Sequence, residues 1–183
     1  MDLGINERVA ALLSAVREMI EHDIAPLDRE YHAEVGKHPS GNRFAMTDRQ
    51  LEIIDGLKAL ARKRNLWNFW LTGSDRGYGL STVEYAYLAE EMGKVPLAAE
   101  VFNCSAPDTG NMEVLERYGT QAHKDRWLGD LLAGQIRSAY VMTEPGLASS
   151  DAAQLAFEAR RDGNDFILNL SLIHISEPTR PNN

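Results

Sequence analysis

The chain has 183 residues, 44% of them hydrophobic and 25% charged, which suits one globular domain and the start of a second. Its formal net charge of -8 argues against a nucleic-acid partner, because phosphate-binding surfaces concentrate Lys and Arg. The single cysteine, Cys104, excludes an internal disulfide framework. No targeting segment and no apolar run of about 18 residues is visible, so we expect a cytoplasmic protein without a membrane span. A mitochondrial location stays open.

Periodic apolar residues predict an amphipathic helix near the amino terminus. Pro26 is expected to close this helical region. Residues 31–46 contain two glycines and a proline without a clear period, which predicts a long surface loop. The apolar stripe of the first helix consists of Ile5, Val9, Leu12, Leu13, Val16, Met19 and Ile20.

Two capping boxes predict the starts of the next helices. Thr47 and Gln50 open one helix, which should run to about Arg64, and Ser81 and Glu84 open another. The glycine-rich loop between these helices lacks the Gly-Lys-Ser/Thr that a phosphate-binding loop requires. The residues expected to be buried on the two helices are Leu51, Ile54, Leu57, Leu60, Ala61, Tyr85, Leu88, Ala89 and Met92.

Two further helices are predicted between residues 109 and 134. The first begins near Thr109 and stops at Gly119, and Thr120 can cap the second, which ends at Gly134. On the second helix, the side chains expected to point to the core are Trp127, Leu128, Leu131 and Leu132.

After Gly134 the pattern changes from helical to β. Residues 138–145, SAYVMTEP, predict a strand followed by a turn. Residues 152–169 alternate like two strands joined by a hairpin, with its turn at Asp162–Gly163 or Gly163–Asn164.

These patterns predict a mainly α-helical chain in three parts. Residues 1–135 form an amino-terminal helical domain, and residues 136–169 form the first strands of a truncated antiparallel β domain. Residues 170–180, LSLIHISEPTR, equal one reading frame of a common sequencing-library adapter. We therefore interpret residues 170–183 as a non-native tail, and the alternative is a genuine short tail.

The segment Tyr140–Ala152, YVMTEPGLASSDA, resembles the first signature of the acyl-CoA dehydrogenase family. In that signature a strand leads to Thr-Glu-Pro and then to a small-residue turn that ends in Ser-Asp. Three more segments resemble one subgroup, which includes the dehydrogenase portion of larger kinase-fused proteins acting on 4-hydroxyacyl-CoA. These segments are Val83–Gly93, Glu100–Thr120 and Trp127–Pro145.

The resemblance covers roughly residues 1–169 and implies a flavin oxidoreductase. Such an enzyme removes the α proton of an acyl-CoA thioester and passes the β hydride to N5 of FAD, as in fatty-acid β-oxidation. It also implies electron-transfer flavoprotein as the acceptor and assembly of the whole enzyme into homodimers or homotetramers.

The resemblance places FAD against the strand and turn that begin at Tyr140. Tyr140, Met142 and Thr143 would offer main-chain and hydroxyl groups to the isoalloxazine. Either Ser149 or Ser150 would contact the flavin. The choice between them stays open because this turn has one residue more than the commonest form. Ser150 would also contact the acyl-CoA. Spacing alone favours a simple polar turn after an edge strand, and the resemblance reverses that preference.

Asn103 lies in a polar segment that, by the resemblance, faces the acyl-binding cavity. A capping and turn cluster explains the same residues, so both readings stay open. The segment's polar residues are Asn103, Ser105, Asp108 and Thr109.

No catalytic residue is assigned, and no metal site is expected. In the family, the catalytic glutamate lies in a carboxy-terminal helical bundle, and Glu144 lies in a turn with no partner identifiable from the sequence. The five histidines do not share metal-ligand spacing. The chain alone is therefore expected to be inactive and to bind FAD weakly or not at all. An alternative from another class is a helical interaction module whose strand edges pair with a partner.

Overall fold

The computed structural model divides the chain into two compact units, Met1–Ser138 and Ala139–Asn183. The first unit is helical, and the second contains a two-stranded antiparallel sheet. The prediction of a mainly α-helical chain followed by antiparallel strands is confirmed, whereas the predicted domain limits stay a prediction. The structure describes residues 5–72, 74, 76–140, 142–144, 146–147 and 151–169.

The helices of the first unit pack around one apolar core. They are α1 (Glu7–Met19), α2 (Ala25–Ala33), α3 (Asp48–Lys63), α4 (Thr82–Met92), α5 (Ala98–Val101), α6 (Asp108–Tyr118), α7 (Gln121–His123) and α8 (Gly129–Leu132). The fully buried side chains with the largest volumes are Phe69, Phe102, Met19, Ile24, Leu88, Met112 and Leu128.

Pro26 does not end the first helical region, so that prediction is wrong. A π-helical turn, Ile20–Ile24, joins α1 to α2, and Pro26 lies in the first turn of α2. The main-chain N–H of Ala25 donates to the carbonyl of Ile20, five residues earlier. Pro26 has no main-chain N–H to donate, and the wider turn shifts the hydrogen-bond pattern at the same place. The chain therefore continues as helix through Pro26. The predicted loop consequently begins after Ala33.

The predicted helix starts and stops are confirmed for most of the first unit. Gln50 donates its main-chain N–H to the Thr47 hydroxyl at 3.2 Å, and the Gln50 side-chain oxygen accepts from the Thr47 N–H at 3.1 Å. Ser81 and Glu84 form the same reciprocal pair at the start of α4. Thr120 caps α7 by accepting from the main chain of His123. These local caps satisfy N–H groups that have no partner inside the helix.

Three predicted core residues are exposed instead. Ile5 is 43% exposed because it precedes the first residue of α1. Leu51 is 42% exposed because Gln50 occupies the buried stripe, where its amide donates to the carbonyl of Tyr31. Trp127 is 39% exposed and lies in a second π-helical turn, Lys124–Leu128, whose wider spacing moves residues off a common face.

The second unit contains the predicted hairpin. Strand β1 (Glu158–Asp162) pairs antiparallel with β2 (Asp165–Asn169), and the turn is Gly163–Asn164. Gly163 has a φ of +62°, which glycine adopts without a steric penalty. Among the alternatives, the structure therefore selects the second turn position.

The strand predicted within residues 138–145 is not formed in its described part. Residues 138–140 and 142–144 have no strand assignment, and Val141 and Pro145 lie outside the described residues. A run of strand-forming residues favours an extended backbone, but a strand also needs a neighbouring strand to bond with. The only sheet among the described residues is the β1–β2 hairpin, so this segment has no ladder there.

The Ser81 cap should contribute measurably to the stability of the helical unit. We expect Ser81→Ala to lower the free energy of unfolding by about 1 kcal/mol, because the N–H of Glu84 loses its acceptor. Thr82→Ala, at the exposed next position, is the matched control and should change stability by less than about 0.5 kcal/mol. Urea denaturation followed by circular dichroism measures both. Equal effects of the two substitutions would contradict the capping role.

Candidate functional site

The segment predicted to contact a flavin lies at the start of the second unit. Tyr140 is 68% exposed, Met142 is half-buried and Thr143 is exposed. No hydrogen bond joins the Thr143 hydroxyl to another of the described residues. A hydroxyl that is exposed and has no partner among the described residues can donate to a ligand. Ser149 and Ser150, the other predicted contacts, lie outside the described residues. We call Tyr140, Met142 and Thr143 the flavin segment.

Glu144 supports the turn that follows the flavin segment. Its side chain is buried, and Oε2 accepts the main-chain N–H of Ala156 at 3.1 Å. Its carbonyl accepts from Leu147 at 3.4 Å. These bonds tie the turn to the residues just before β1, which gives Glu144 a structural task.

Asn103 directs its amide at the end of α8. It is buried, with a φ of +55°, a left-handed conformation that Asn tolerates better than most residues. Its Nδ2 donates to the Asn68 side-chain oxygen at 2.7 Å and to the carbonyl of Leu131 at 3.1 Å. The amide nitrogen is therefore committed to protein groups. A substrate-lining role for Asn103 stays a prediction.

Other side chains converge on the same carbonyls. Trp67 Nε1 and Asn68 Nδ2 donate to the carbonyl of Leu132 at 2.7 and 2.9 Å. Arg62 Nη1 donates to the carbonyl of Ala133 at 3.1 Å. The last carbonyls of a helix have no partner within it, so donors from elsewhere must satisfy them. We call Arg62, Trp67, Asn68 and Asn103 the α8 cap.

A second cluster holds the residues just before the unit boundary. Arg137 binds Glu100 through both terminal nitrogens, at 2.6 and 3.1 Å, and its Nε lies 2.6 Å from Asp108 Oδ2. Lys58, which is buried, contacts the same Glu100 carboxylate at 2.5 Å. Asp108 Oδ1 accepts from the main-chain N–H of Ser138 at 2.7 Å and from its hydroxyl at 2.6 Å. We call Lys58, Glu100, Asp108, Arg137 and Ser138 the exit network.

The exit network favours the charged form of Asp108. Burial alone would raise the pKa of Asp108, but the two hydrogen bonds from Ser138 and the charge of Arg137 outweigh it. The pKa of Asp108 is therefore lowered. Burial opposes the charge of Arg137 as well, yet Glu100 and Asp108 raise its pKa. Asp108 is thus a fixed, ionised acceptor at neutral pH.

The described residues offer little other chemistry. Burial raises the pKa of the Cys104 thiol to about 12, so it is protonated and unreactive at neutral pH. No group of three or more His, Cys, Asp or Glu side chains that could hold a metal occurs among the described residues. Within the same residues, no helix has the length and apolar character needed to cross a bilayer.

Residues 6–135 match the family model for the acyl-CoA dehydrogenase N-terminal domain. This chain belongs to the acyl-CoA dehydrogenase family. It is 40% identical over 171 residues to acyl-CoA dehydrogenase family member 10 of Mus musculus, with 91% of this chain and 15% of the relative covered. It is 41% identical over 167 residues to family member 11 of the same organism, with 90% of this chain and 20% of that relative covered.

A solved structure supports the same assignment. A Mycobacterium abscessus protein described as an acyl-CoA dehydrogenase superimposes with a TM-score of 0.79 at 45% identity. The match covers 91% of this chain and 42% of that one. The family predicted from the signature is therefore confirmed, while the chain spans less than half the length of these relatives. The kinase-fused subgroup stays a prediction.

The sequence predicts Asn103 and Asp108 as polar residues of interest but does not predict their partners. Arg137 and Ser138 are not predicted as site residues, and Lys58 lies far from both along the chain. One sequence feature could have indicated this cluster: the polar pair Arg137 and Ser138 stands where the helical periodicity ends. Their partners come from other helices, which spacing cannot show.

Substitution of Asn103 tests whether its amide is structural. We expect Asn103→Ala to lower the free energy of unfolding by about 2–3 kcal/mol, since the Asn68 side-chain oxygen and the Leu131 carbonyl each lose a hydrogen bond and Ala disfavours positive φ. Asn103→Gly relieves the backbone cost and should be about 1 kcal/mol less destabilising than the Ala variant. Urea denaturation measures both. Stability of either variant equal to the original chain would show that the amide bonds contribute nothing.

Asp108 should make stability depend on pH. Because folding lowers its pKa, its contribution is present above the unfolded pKa of about 3.9 and is lost as pH falls through the folded value. We expect Asp108→Asn to cost about 2 kcal/mol at pH 7, with the difference shrinking below about pH 4. Glu113→Gln, which removes an exposed ion pair on the same helix, should cost under about 1 kcal/mol at pH 7. A pH-independent effect of Asp108→Asn would contradict this account.

Proposed function

We propose that this chain is the amino-terminal part of an FAD-dependent acyl-CoA dehydrogenase and is inactive alone. The observation that carries the proposal is the exposed Thr143 hydroxyl in a family signature, directly after a helical unit that matches the family. The domain limits proposed are residues 1–135 for the helical domain and 136–169 for the start of the β domain. Residues 170–183 are proposed to be non-native.

The flavin segment would hold one edge of the isoalloxazine. When bound, FAD accepts the β hydride of the acyl thioester at N5 and gains electron density at its N1 and C2 carbonyl side. Thr143, with its hydroxyl, and Met142, with its main chain, would donate hydrogen bonds that strengthen as that density grows. Tyr140 contributes main chain at the start of the segment. Gly146 lets backbone approach closely, and Ser149 or Ser150 completes the contact.

None of the residues proposed to contact flavin or substrate is proposed to remove the α proton. Removing the α proton of a thioester requires a positioned carboxylate. By family resemblance that glutamate belongs to a carboxy-terminal bundle, while Glu144 is engaged by the main chain of Ala156. Inactivity of the chain alone follows from this division.

The proposed substrate is an acyl-CoA, with Ser150 and Asn103 as the proposed contacts. A 4-hydroxyacyl-CoA is the specific candidate, because the signature segments resemble the kinase-fused subgroup. The two mouse relatives are matched over only 15% and 20% of their lengths, which fits membership in a group of long proteins. Electron-transfer flavoprotein as acceptor and a dimeric or tetrameric whole enzyme complete the proposal.

One observation favours a second candidate, an interaction module without catalysis. Phe166 and Leu168 of β2 are 62% and 60% exposed on the hairpin. Unpaired strand edges with apolar side chains are suited to pairing with another chain. An incomplete β domain of the enzyme presents the same surface, so flavin uptake separates the two candidates.

The decisive experiment compares the chain alone with a chimera. Residues 6–169 replace the corresponding part of the Mycobacterium abscessus protein, which supplies the rest of the fold. We expect the chimera to purify with yellow flavin absorbance that bleaches on addition of an acyl-CoA. The chain alone should bind FAD weakly or not at all, since it offers only part of the contact surface.

Variants at Thr143 sharpen that test. Thr143→Val in the chimera keeps shape but removes the hydroxyl and should weaken flavin binding about tenfold, whereas Thr143→Ser should retain it. The unmodified Mycobacterium abscessus protein is the control for flavin loading. A colourless chimera beside a yellow control would reject the function. Tight stoichiometric binding and bleaching by the chain alone would reject its proposed inactivity.

A further inference from the structure

The chain leaves the helical unit through a segment that is held at two successive points. The α8 cap binds the carbonyls of Leu131, Leu132 and Ala133, and Asp108 of the exit network binds Arg137 and Ser138. Only Gly134, Gln135 and Ile136 separate the two clusters. Gly134 has a φ of +66° and lies against the Trp67 ring, where a Cβ would be 2.9 Å from a ring carbon. The segment therefore has little freedom at either end.

The exit network holds the main chain itself, in addition to side chains. Asp108 accepts the main-chain N–H of Ser138, so the carboxylate fixes the backbone of the last residue of the first unit. The Ser138 hydroxyl makes a second bond to the same oxygen and accepts from the Asn111 amide at 2.9 Å. Arg137 then braces the other Asp108 oxygen. Hydrogen bonds to a charged acceptor are stronger than neutral ones, which suits a fixed anchor.

We propose that Asp108 and Ser138 are positioning residues for the flavin segment. This inference rests on the proposed function, in which Thr143 donates to the isoalloxazine. Thr143 follows Ser138 by only five residues, so the backbone held at Ser138 sets the point from which the flavin segment starts. Rigid placement of donors before the ligand arrives is what makes such contacts effective. Asp108 acts through Ser138 and touches neither flavin nor substrate.

Nuclear magnetic resonance on the full 183-residue chain, without flavin, tests the anchor directly. The readouts are amide exchange at Ser138 and backbone order parameters at Ala139, Tyr140, Met142 and Thr143. In the original chain we expect order parameters near the rigid value of about 0.85. In Asp108→Ala we expect exchange at Ser138 to rise about tenfold and these order parameters to fall toward about 0.6. Exchange in α3 and α4 should rise no more than the loss of global stability explains, which urea denaturation measures separately.

If Asp108→Ala does not fold, variants at Ser138 test the same anchor. Ser138→Ala removes the hydroxyl bond and should lower the same order parameters, while Ser138→Thr keeps the hydroxyl and should restore them. Glu113→Ala, on the same helix, is the matched control and should leave them unchanged.

Two results would overturn the anchor. One is a flavin segment already flexible in the original chain. The other is a set of order parameters that does not respond as expected. They would stay high although amide exchange at Ser138 has risen, or would fall equally in Ser138→Ala and Ser138→Thr.

Failure of the anchor and failure of the proposed function are distinguishable. A colourless chimera together with the expected loss of order would reject flavin binding and leave Asp108 as an anchor of the backbone. A yellow chimera whose Ser138→Ala form binds flavin as tightly as the parent would reject positioning and retain the function.

Discussion

The carbonyl groups at the end of α8 impose the constraint on which the rest of the structure depends. The Leu131 carbonyl is in a buried bond and the Leu132 carbonyl in partly buried ones, where a carbonyl without a donor carries a cost of desolvation. Trp67, Asn68 and Asn103 supply donors, and two of these residues adopt φ values of +60° and +55° to do so. That conformation costs about 1 kcal/mol per residue, less than a buried unsatisfied carbonyl. The chain therefore turns where these side chains meet, and the same contacts hold the main chain at the end of α8.

Local patterns predicted the helical unit because its helices begin and end through local contacts. Thr47 and Gln50 satisfy each other within one turn, so sequence spacing contains all the information needed. The same holds for Ser81 with Glu84. Pro26 shows the limit of this reasoning, since the π-helical turn before it buries Ile20 and Ile24 in the core, which sequence spacing does not show. The exposure of Trp127 has the same origin in the second π-helical turn.

The candidate site could be located from the sequence only in part. The signature from Tyr140 predicts its place, and the polar segment that contains Asn103 and Asp108 predicts further residues of interest. Their partners come from long range: Asp108 binds Arg137, 29 residues later, and Asn103 binds Asn68, 35 residues earlier. Such pairs follow from how helices pack, which neither spacing nor composition specifies. The strand predicted within residues 138–145 is not formed in its described part for a related reason, because a local residue pattern does not identify a pairing partner.

The two strands of the hairpin differ in a way that bears on the competing functions. β1 is almost entirely polar, with Glu158, Arg160 and Arg161 among its residues, as is common for a strand that protects the edge of a sheet. β2 carries Phe166, Ile167 and Leu168 in succession, which places apolar side chains on both faces. A strand that docks on a single partner needs only one apolar face, whereas consecutive apolar residues are typical of strands covered on both sides. The hairpin thus has the character of an edge and its inner neighbour in a larger β domain, which favours the enzyme over the interaction module.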